Sequence, residues 1–120
     1  MSKKRITILE DEFNNQYLLE NFLENYFDEI HMFENGEELL QSLYSKSDVI
    51  LLDIKVPGEL NGIDVLKTLR EIGYSKPIIM QTAYLDKRNE CLTYGANDVI
   101  IKPFNNDILI KTIKDNLKWD

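Results

Sequence analysis

Four places in the chain carry side chains that could do chemistry together. Glu10, Asp11 and Glu12 follow the apolar run Ile6-Thr-Ile-Leu9, and Asp53 ends a second run, Val49-Ile-Leu-Leu52. Thr82 and Ala83 close a third run, and Lys102-Pro103-Phe104 close another. Gathered into one crevice, the carboxylates would repel one another, and at least one would take up a proton unless a cation relieved the conflict. Hard oxygen ligands without cysteine or histidine suit Mg²⁺ rather than zinc. Lys102 would add a compact positive charge and Thr82 a hydroxyl donor. A carboxylate nucleophile, a Mg²⁺ site, a lysine and a hydroxyl are what phosphoryl transfer to an aspartate requires. That chemistry needs positioning and charge neutralisation more than covalent help from other groups.

These residues can act together only if the fold brings them to one edge. Short β-branched runs at 6–9, 29–33, 49–52, 77–80 and 99–101 alternate with amphipathic segments. Several runs are apolar at consecutive positions, as in strands of a parallel sheet covered on both faces. Helical stripes are predicted through Leu18, Leu19, Phe22, Leu23 and Tyr26, through Leu39, Leu40 and Leu43, through Val65, Leu66, Leu69 and Ile72, and through Ile110, Ile113 and Leu117. Gly73 is placed to end the third. The segment 86–94 offers only Cys91 and Leu92 for burial and is the weakest helix. This pattern predicts an α/β, doubly wound (βα)5 fold with a five-stranded parallel sheet of flavodoxin-like order 2-1-3-4-5. Its crevice lies at the carboxyl ends of strands 1 and 3, where the winding reverses, and the chemical residues fall there.

Composition narrows the function classes. At 120 residues with 43% hydrophobic content, one domain spanning 1–120 is expected, with no output domain in the chain. A net charge of -7 argues against direct nucleic-acid binding and against an anionic membrane surface. Cys91 is the single cysteine, which fits a reducing cytoplasm. Met1-Ser-Lys-Lys-Arg5 has the charge of a secretory leader, but acids follow the short apolar run at once. No apolar stretch has the length of a membrane span.

With these motifs in order, the chain resembles the receiver domain of the two-component response regulators over about 4–118. The resemblance implies a domain that accepts a phosphoryl group on Asp53 from a sensor histidine kinase or a histidine phosphotransfer protein. It then signals to a downstream partner or relays the group. Such a domain catalyses its own aspartyl phosphorylation and dephosphorylation without being a conventional enzyme. Glu10 and Asp11 resemble the acidic pair that holds Mg²⁺, Asp11 directly and Glu10 directly or through water. Asp53 and the backbone carbonyl of Lys55 complete the ligand set that the resemblance implies. Thr82 resembles the switch hydroxyl, Ala83 the small residue beside it, Lys102 the family's lysine, and Pro103 its cis-peptide proline. Donor docking is expected on the rim around Asp53 and near Phe13-Asn14-Asn15.

The chain departs from the family pattern in four ways. The acidic pair is Glu-Asp rather than Asp-Asp. The loop between Pro57 and Gly62 is one residue longer than usual, and Val56 replaces a frequent methionine. Val99 stands where a switch aromatic is usual. Lys55 and Tyr84, each two residues past Asp53 and Thr82, are bulky where similar receivers admit the attacking water, so slow self-dephosphorylation is expected.

Other readings remain at this level. A pseudo-receiver would keep the fold as a protein-binding module without phosphorylation. An aspartate-nucleophile phosphatase would want a second acid where Lys55 stands. A nucleotide-binding module would want a glycine-rich loop where Glu10-Asp11-Glu12 stand. Taken singly, the acids could be a solvated loop and Lys102-Pro103-Phe104 a simple turn. His31 and Cys91 are expected to be structural, Tyr17, Phe22 and Tyr26 to be core, and Glu37-Glu38 to be the first turn of a helix.

Overall fold

Consecutive Ile, Val and Leu residues make strands that are buried on both faces, and the sheet follows from them. The computed structural model describes residues 4–119. Within these residues run the strands β1 (Arg5–Leu9), β2 (Glu29–Phe33), β3 (Val49–Asp53), β4 (Ile78–Thr82) and β5 (Asp98–Ile101). They alternate with the helices α1 (Phe13–Leu23), α2 (Gly36–Leu40), α3 (Gly62–Glu71), α4 (Arg88–Thr93) and α5 (Asn106–Leu117). The sheet has five strands, every pairing is parallel, and the order is β2-β1-β3-β4-β5, as predicted. Leu9 lies opposite Leu52, and Asp53 opposite Gln81. This register brings the carboxyl ends of the central strands level with one another.

Side-chain alternation along each strand divides the core into two layers. On one face Leu9, Ile50, Leu52, Met80 and Val99 pack against Leu39, Val65, Leu66, Leu69 and Cys91 from α2, α3 and α4. On the other, Ile8, Leu51, Ile79 and Ile100 pack against Leu19 and Leu23 of α1 and Leu109 and Ile113 of α5. Each fully buried aliphatic side chain contributes roughly 1.5–3 kcal/mol, so the two layers hold the sheet from both sides. Among the described residues no helix is long and apolar enough to cross a membrane.

The helices are narrower than the sequence pattern suggests. In α1 the buried stripe is Leu19 and Leu23, while Tyr17 and Leu18 are 61% and 63% exposed. Each residue turns a helix by about 100°, which carries both away from the sheet. Tyr17 is therefore not core, and Tyr26 lies in the turn after the helix, its ring tilted against Phe22 at 5.4 Å. The second helix stops at Leu40, where Ser42 Oγ donates to the Leu39 carbonyl, and Leu43 is exposed. Ile72 caps α3 and is exposed, with Gly73 at φ +95° ending the helix as expected. The weak helix at 86–94 is a 3-10 turn, Leu85–Lys87, followed by the short α4, which buries Cys91 and leaves Leu92 outward. His31 is half-buried on the edge strand β2, 3.9 Å from Glu29.

Two contacts hold the edge opposite the acids. The Arg70 guanidinium donates to the carbonyls of Gly95, Tyr74 and Lys76 and to Asn97 Oδ1, tying the end of α3 to the starts of β4 and β5. Beyond α5, Trp119 packs on Phe27 at 5.1 Å, with Lys4 Nζ 4.2 Å from its ring centroid.

Tyr74 is buried, and its hydroxyl donates to the Ser47 carbonyl at 3.0 Å. Burial raises the phenol well above its ordinary value; the nearby Arg70 opposes this and Asp48 adds to it. The folded protein thus holds this proton more tightly than the unfolded chain does. Its stabilising contribution is complete below about pH 10 and is lost as pH rises further. Tyr74→Phe is expected to cost about 1–2 kcal/mol at neutral pH and to flatten the alkaline loss of stability. Urea midpoints measured from neutral to alkaline pH check both effects, and a variant as pH-sensitive as the parent contradicts the assignment.

Candidate functional site

Asp53 is the last residue of β3 and is 7% exposed, held at the mouth of the sheet by the strands on either side. Its Oδ2 accepts from Lys102 Nζ at 2.5 Å, and its Oδ1 from the Lys55 amide at 3.3 Å. Carboxylate oxygens of Glu10, Asp11 and Asp53 lie within 4.8 Å of one another. Three acids therefore face one ammonium, and the donor set is all oxygen, which fits a hard divalent cation such as Mg²⁺.

The two acids that follow β1 behave differently. Glu10 is 1% exposed, and protein donors occupy its carboxylate. Oε2 accepts from the Glu12 amide at 3.1 Å, while Oε1 faces Gln81 Nε2 at 3.3 Å and Lys102 Nζ at 3.5 Å. Burial raises its pKa above the ordinary carboxylate value, Asp53 adds to the rise, and the Glu12 amide and Lys102 pull against it. Asp11 is exposed and open to an ion. Glu12 leaves the cluster altogether, because its side chain caps α1 by accepting from the amides of Asn14 and Asn15. Burial alone would lower the Lys102 pKa, but the hydrogen bond and charge of Asp53, then Glu10, outweigh it, so the ammonium is held above its ordinary value.

Thr82 ends β4, is 1% exposed, and accepts from the Tyr84 amide through Oγ1 at 3.0 Å. Ala83 is exposed and, with Glu10, Gln81, Lys102, Pro103 and Phe104, lines a cleft of about 460 Å³. The Lys102–Pro103 peptide is cis. Lys55 and Tyr84 are both exposed near the rim, Tyr84 at 44%. Val99 stands apart: it is 6% exposed in the core layer behind the site, and its carbonyl accepts from Arg88 Nη1 at 3.2 Å.

The fold therefore brings Glu10, Asp11, Asp53, Thr82, Ala83 and Lys102 to one edge, and leaves Glu12 and Val99 outside it. Sequence reasoning missed two glutamines. Gln81 donates to Glu10 Oε1, and Gln16 Nε2 donates to the Glu10 carbonyl at 2.6 Å. A signal for Gln81 was present, since it is an amide at the end of the otherwise apolar run Ile78-Ile79-Met80.

The loop after Asp53 returns so tightly that only glycine fits where α3 begins. The Gly62 amide donates to the Ile54 carbonyl at 2.7 Å, and a Cβ on Gly62 would stand 2.0 Å from the Asp53 carbonyl oxygen. Asn61 and Asp64 form a capping box around it. Gly62→Ala is expected to cost roughly 2–4 kcal/mol and to displace Asp53, because the clash is with backbone. Gly73→Ala, with nothing within 4 Å of its Cβ but φ +95°, should cost only about 1 kcal/mol. Thermal melts of the two variants, side by side, check this order.

Known proteins similar to this chain include response regulators. The family described as the response regulator receiver domain matches residues 6–114. The transcriptional regulatory protein CiaR of Streptococcus pneumoniae is 34% identical over 116 residues, 95% of this chain and 51% of its own length. The DNA-binding transcriptional regulator NtrC of Escherichia coli is 32% identical over 95% of this chain and 25% of its own length. The chain thus spans about half or less of these curated relatives. Among solved structures, the Thermotoga maritima response regulator TrrA in complex with Mg²⁺–BeF is 35% identical with a TM-score of 0.83, covering 93% of this chain and 97% of that one. A CheY-like receiver domain protein from Methanospirillum hungatei is 28% identical with a TM-score of 0.87, covering 98% and 95%. With the family match spanning nearly the whole chain, the chain belongs to the response regulator receiver domains of two-component systems.

Proposed function

We propose that this receiver takes a phosphoryl group onto Asp53 from a phosphohistidine donor in a Mg²⁺-dependent reaction, and signals or relays it within the cytoplasm. The observation that carries this reading is the placement of the Asp53 carboxylate. It sits between Lys102 Nζ at 2.5 Å and a cluster of acids within 4.8 Å, at the open end of a rigid strand. An Asp53 oxygen attacks phosphorus, the P–N bond to the donor imidazole breaks, and the imidazole leaves with its electron pair and takes up a proton. Asp11, Asp53 and the Lys55 carbonyl would hold the metal, with Glu10 acting through water because protein donors already hold its oxygens. When bound, Mg²⁺ supplies charge neutralisation for the phosphoryl oxygens and the acids. Lys102 neutralises a further oxygen, and the Thr82 hydroxyl, which accepts from the Tyr84 amide, keeps its own proton to donate to a third.

The whole chain is read as one receiver unit. The relatives named as transcriptional regulators suggest a downstream step in gene control, reached through a partner, since the net charge of -7 opposes direct contact with nucleic acid. With Val99 packed in the core, switching would run through Thr82 and the α4 side of the sheet rather than through an aromatic at that position.

Acetyl phosphate and Mg²⁺ should add one phosphoryl group to the intact mass, and both Asp53→Asn and chelation should abolish the adduct. No adduct on the parent protein, together with a beryllofluoride titration that leaves its NMR spectrum unchanged, would instead favour a phosphorylation-independent binding module. Lys55 and Tyr84 are expected to screen the acyl phosphate from water. Lys55→Ala and Tyr84→Ala should each shorten the phosphoryl lifetime, with about 1 kcal/mol of barrier giving roughly a fivefold faster decay. Lifetimes equal to the parent's would refute the screening.

A further inference from the structure

We infer that Glu37, on α2 and outside the acidic cluster, is a positioning residue for the phosphoryl site, acting through the loop that follows Asp53. The inference rests on the function proposed above, because its consequence is felt by the Lys55 carbonyl and the metal.

The residues between Asp53 and α3 form the loop that is one residue longer than usual. Its ends are fixed by the Lys55 amide on Asp53 Oδ1 and by the Gly62 amide on the Ile54 carbonyl. Among the described residues, one hydrogen bond ties its middle, 56–60, to another element: the Leu60 amide donates to Glu37 Oε1 at 3.0 Å. The other carboxylate oxygen lies under Gly58, where an added Cβ would stand 2.4 Å from Oε2, and Gly58 itself has φ +99°. The loop thus wraps over one carboxylate. Gly36, the residue before Glu37, permits the approach, since a Cβ there would stand 2.5 Å from Val65 Cγ2 and 3.3 Å from Leu60 Cβ. The helix-dipole benefit of acids in a first turn accounts for both Glu37 and Glu38. It does not account for the difference between them: Glu38 is exposed, whereas Glu37 is half-buried and reaches across to the loop.

This contact bears on both the order of the loop and the placement of a metal ligand. A longer loop has more conformations to lose on ordering, and a charge-assisted bond at Leu60, with the same carboxylate lying against Gly58, removes many of them. Mg²⁺ requires near-octahedral ligands at about 2.0–2.1 Å, so a carbonyl on a loose loop is a poor ligand. Glu37 therefore sets how well Lys55 is placed for the ion, although it touches neither the ion nor the phosphoryl group.

The test compares the parent with Glu37→Ala, Glu37→Gln and the same-turn control Glu38→Ala. Mg²⁺ affinity is read from amide shifts in NMR titrations, and loop order from hydrogen exchange at the Leu60 amide. The rate with acetyl phosphate is taken at saturating Mg²⁺. Glu37→Ala should weaken Mg²⁺ binding by roughly fivefold or more and speed Leu60 exchange, while the saturated rate stays within about twofold. Glu37→Gln keeps an acceptor and should restore most of the affinity, and Glu38→Ala should match the parent. Parent-like Mg²⁺ affinity in Glu37→Ala overturns the inference while leaving the proposed function intact. So does an equal loss in Glu37→Ala and Glu38→Ala that follows only their melting temperatures. A parent protein that neither binds Mg²⁺ nor accepts a phosphoryl group overturns both.

Discussion

Holding Glu10, Asp11 and Asp53 within 4.8 Å of one another is costly, and much of the structure can be understood as the means of holding them. Like charges at that separation repel, and burying Glu10 and Asp53 adds a desolvation cost. Lys102 offsets part of this with contacts to both buried acids, the Glu12 amide and Gln81 support Glu10, and the Lys55 amide supports Asp53. The Glu12 and Lys55 amides each lie two residues from the acid they support, whereas Lys102 and Gln81 are distant in sequence from theirs. The parallel register, with Leu9 beside Leu52 and Asp53 beside Gln81, makes them neighbours. The apolar layers above and below make that register rigid.

The same arrangement explains why the long loop after Asp53 is closely packed. Gly62 lets the chain return against the Asp53 carbonyl, and Gly58 and Gly36 let it settle over the start of α2. Each of these glycines stands where a side chain would collide with a neighbour. The loop is thereby joined to α2 and α3, and the environment of Asp53 depends on elements that contribute no group to the chemistry.

The sheet and the principal site residues were legible in the sequence for one physical reason. Parallel strands buried on both faces leave unbroken apolar runs, and in a doubly wound sheet the chemistry sits at their carboxyl ends. Asp53 after Val49-Ile-Leu-Leu52 and Lys102 after the 99–101 run could be placed on that basis. Helix faces were less legible. Tyr17 and Leu18 fit an apolar stripe but face outward, because a short helix on a sheet buries a narrower arc than the sequence pattern offers. Glu12 shows a different limit: three consecutive acids look alike in sequence, yet backbone direction sends one into the crevice, one to its rim and one to a helix cap. Gln81 is marked in sequence only as an amide ending an apolar run, and the contact of Glu37 with the loop depends on tertiary distance alone, which no local pattern encodes.

The chemistry and the single tryptophan lie at opposite ends of this molecule. Trp119 follows α5 and packs at a tilt on Phe27 beside Lys4, at the end where the strands begin. One strand length, about 16 Å for five residues, separates that end from Asp53. Indole emission will therefore follow unfolding of the whole domain closely and be nearly blind to events at the acids. The indole thus reports the integrity of the scaffold, and the state of the site is left to a reporter beside the acids, such as the Tyr84 phenol at the rim.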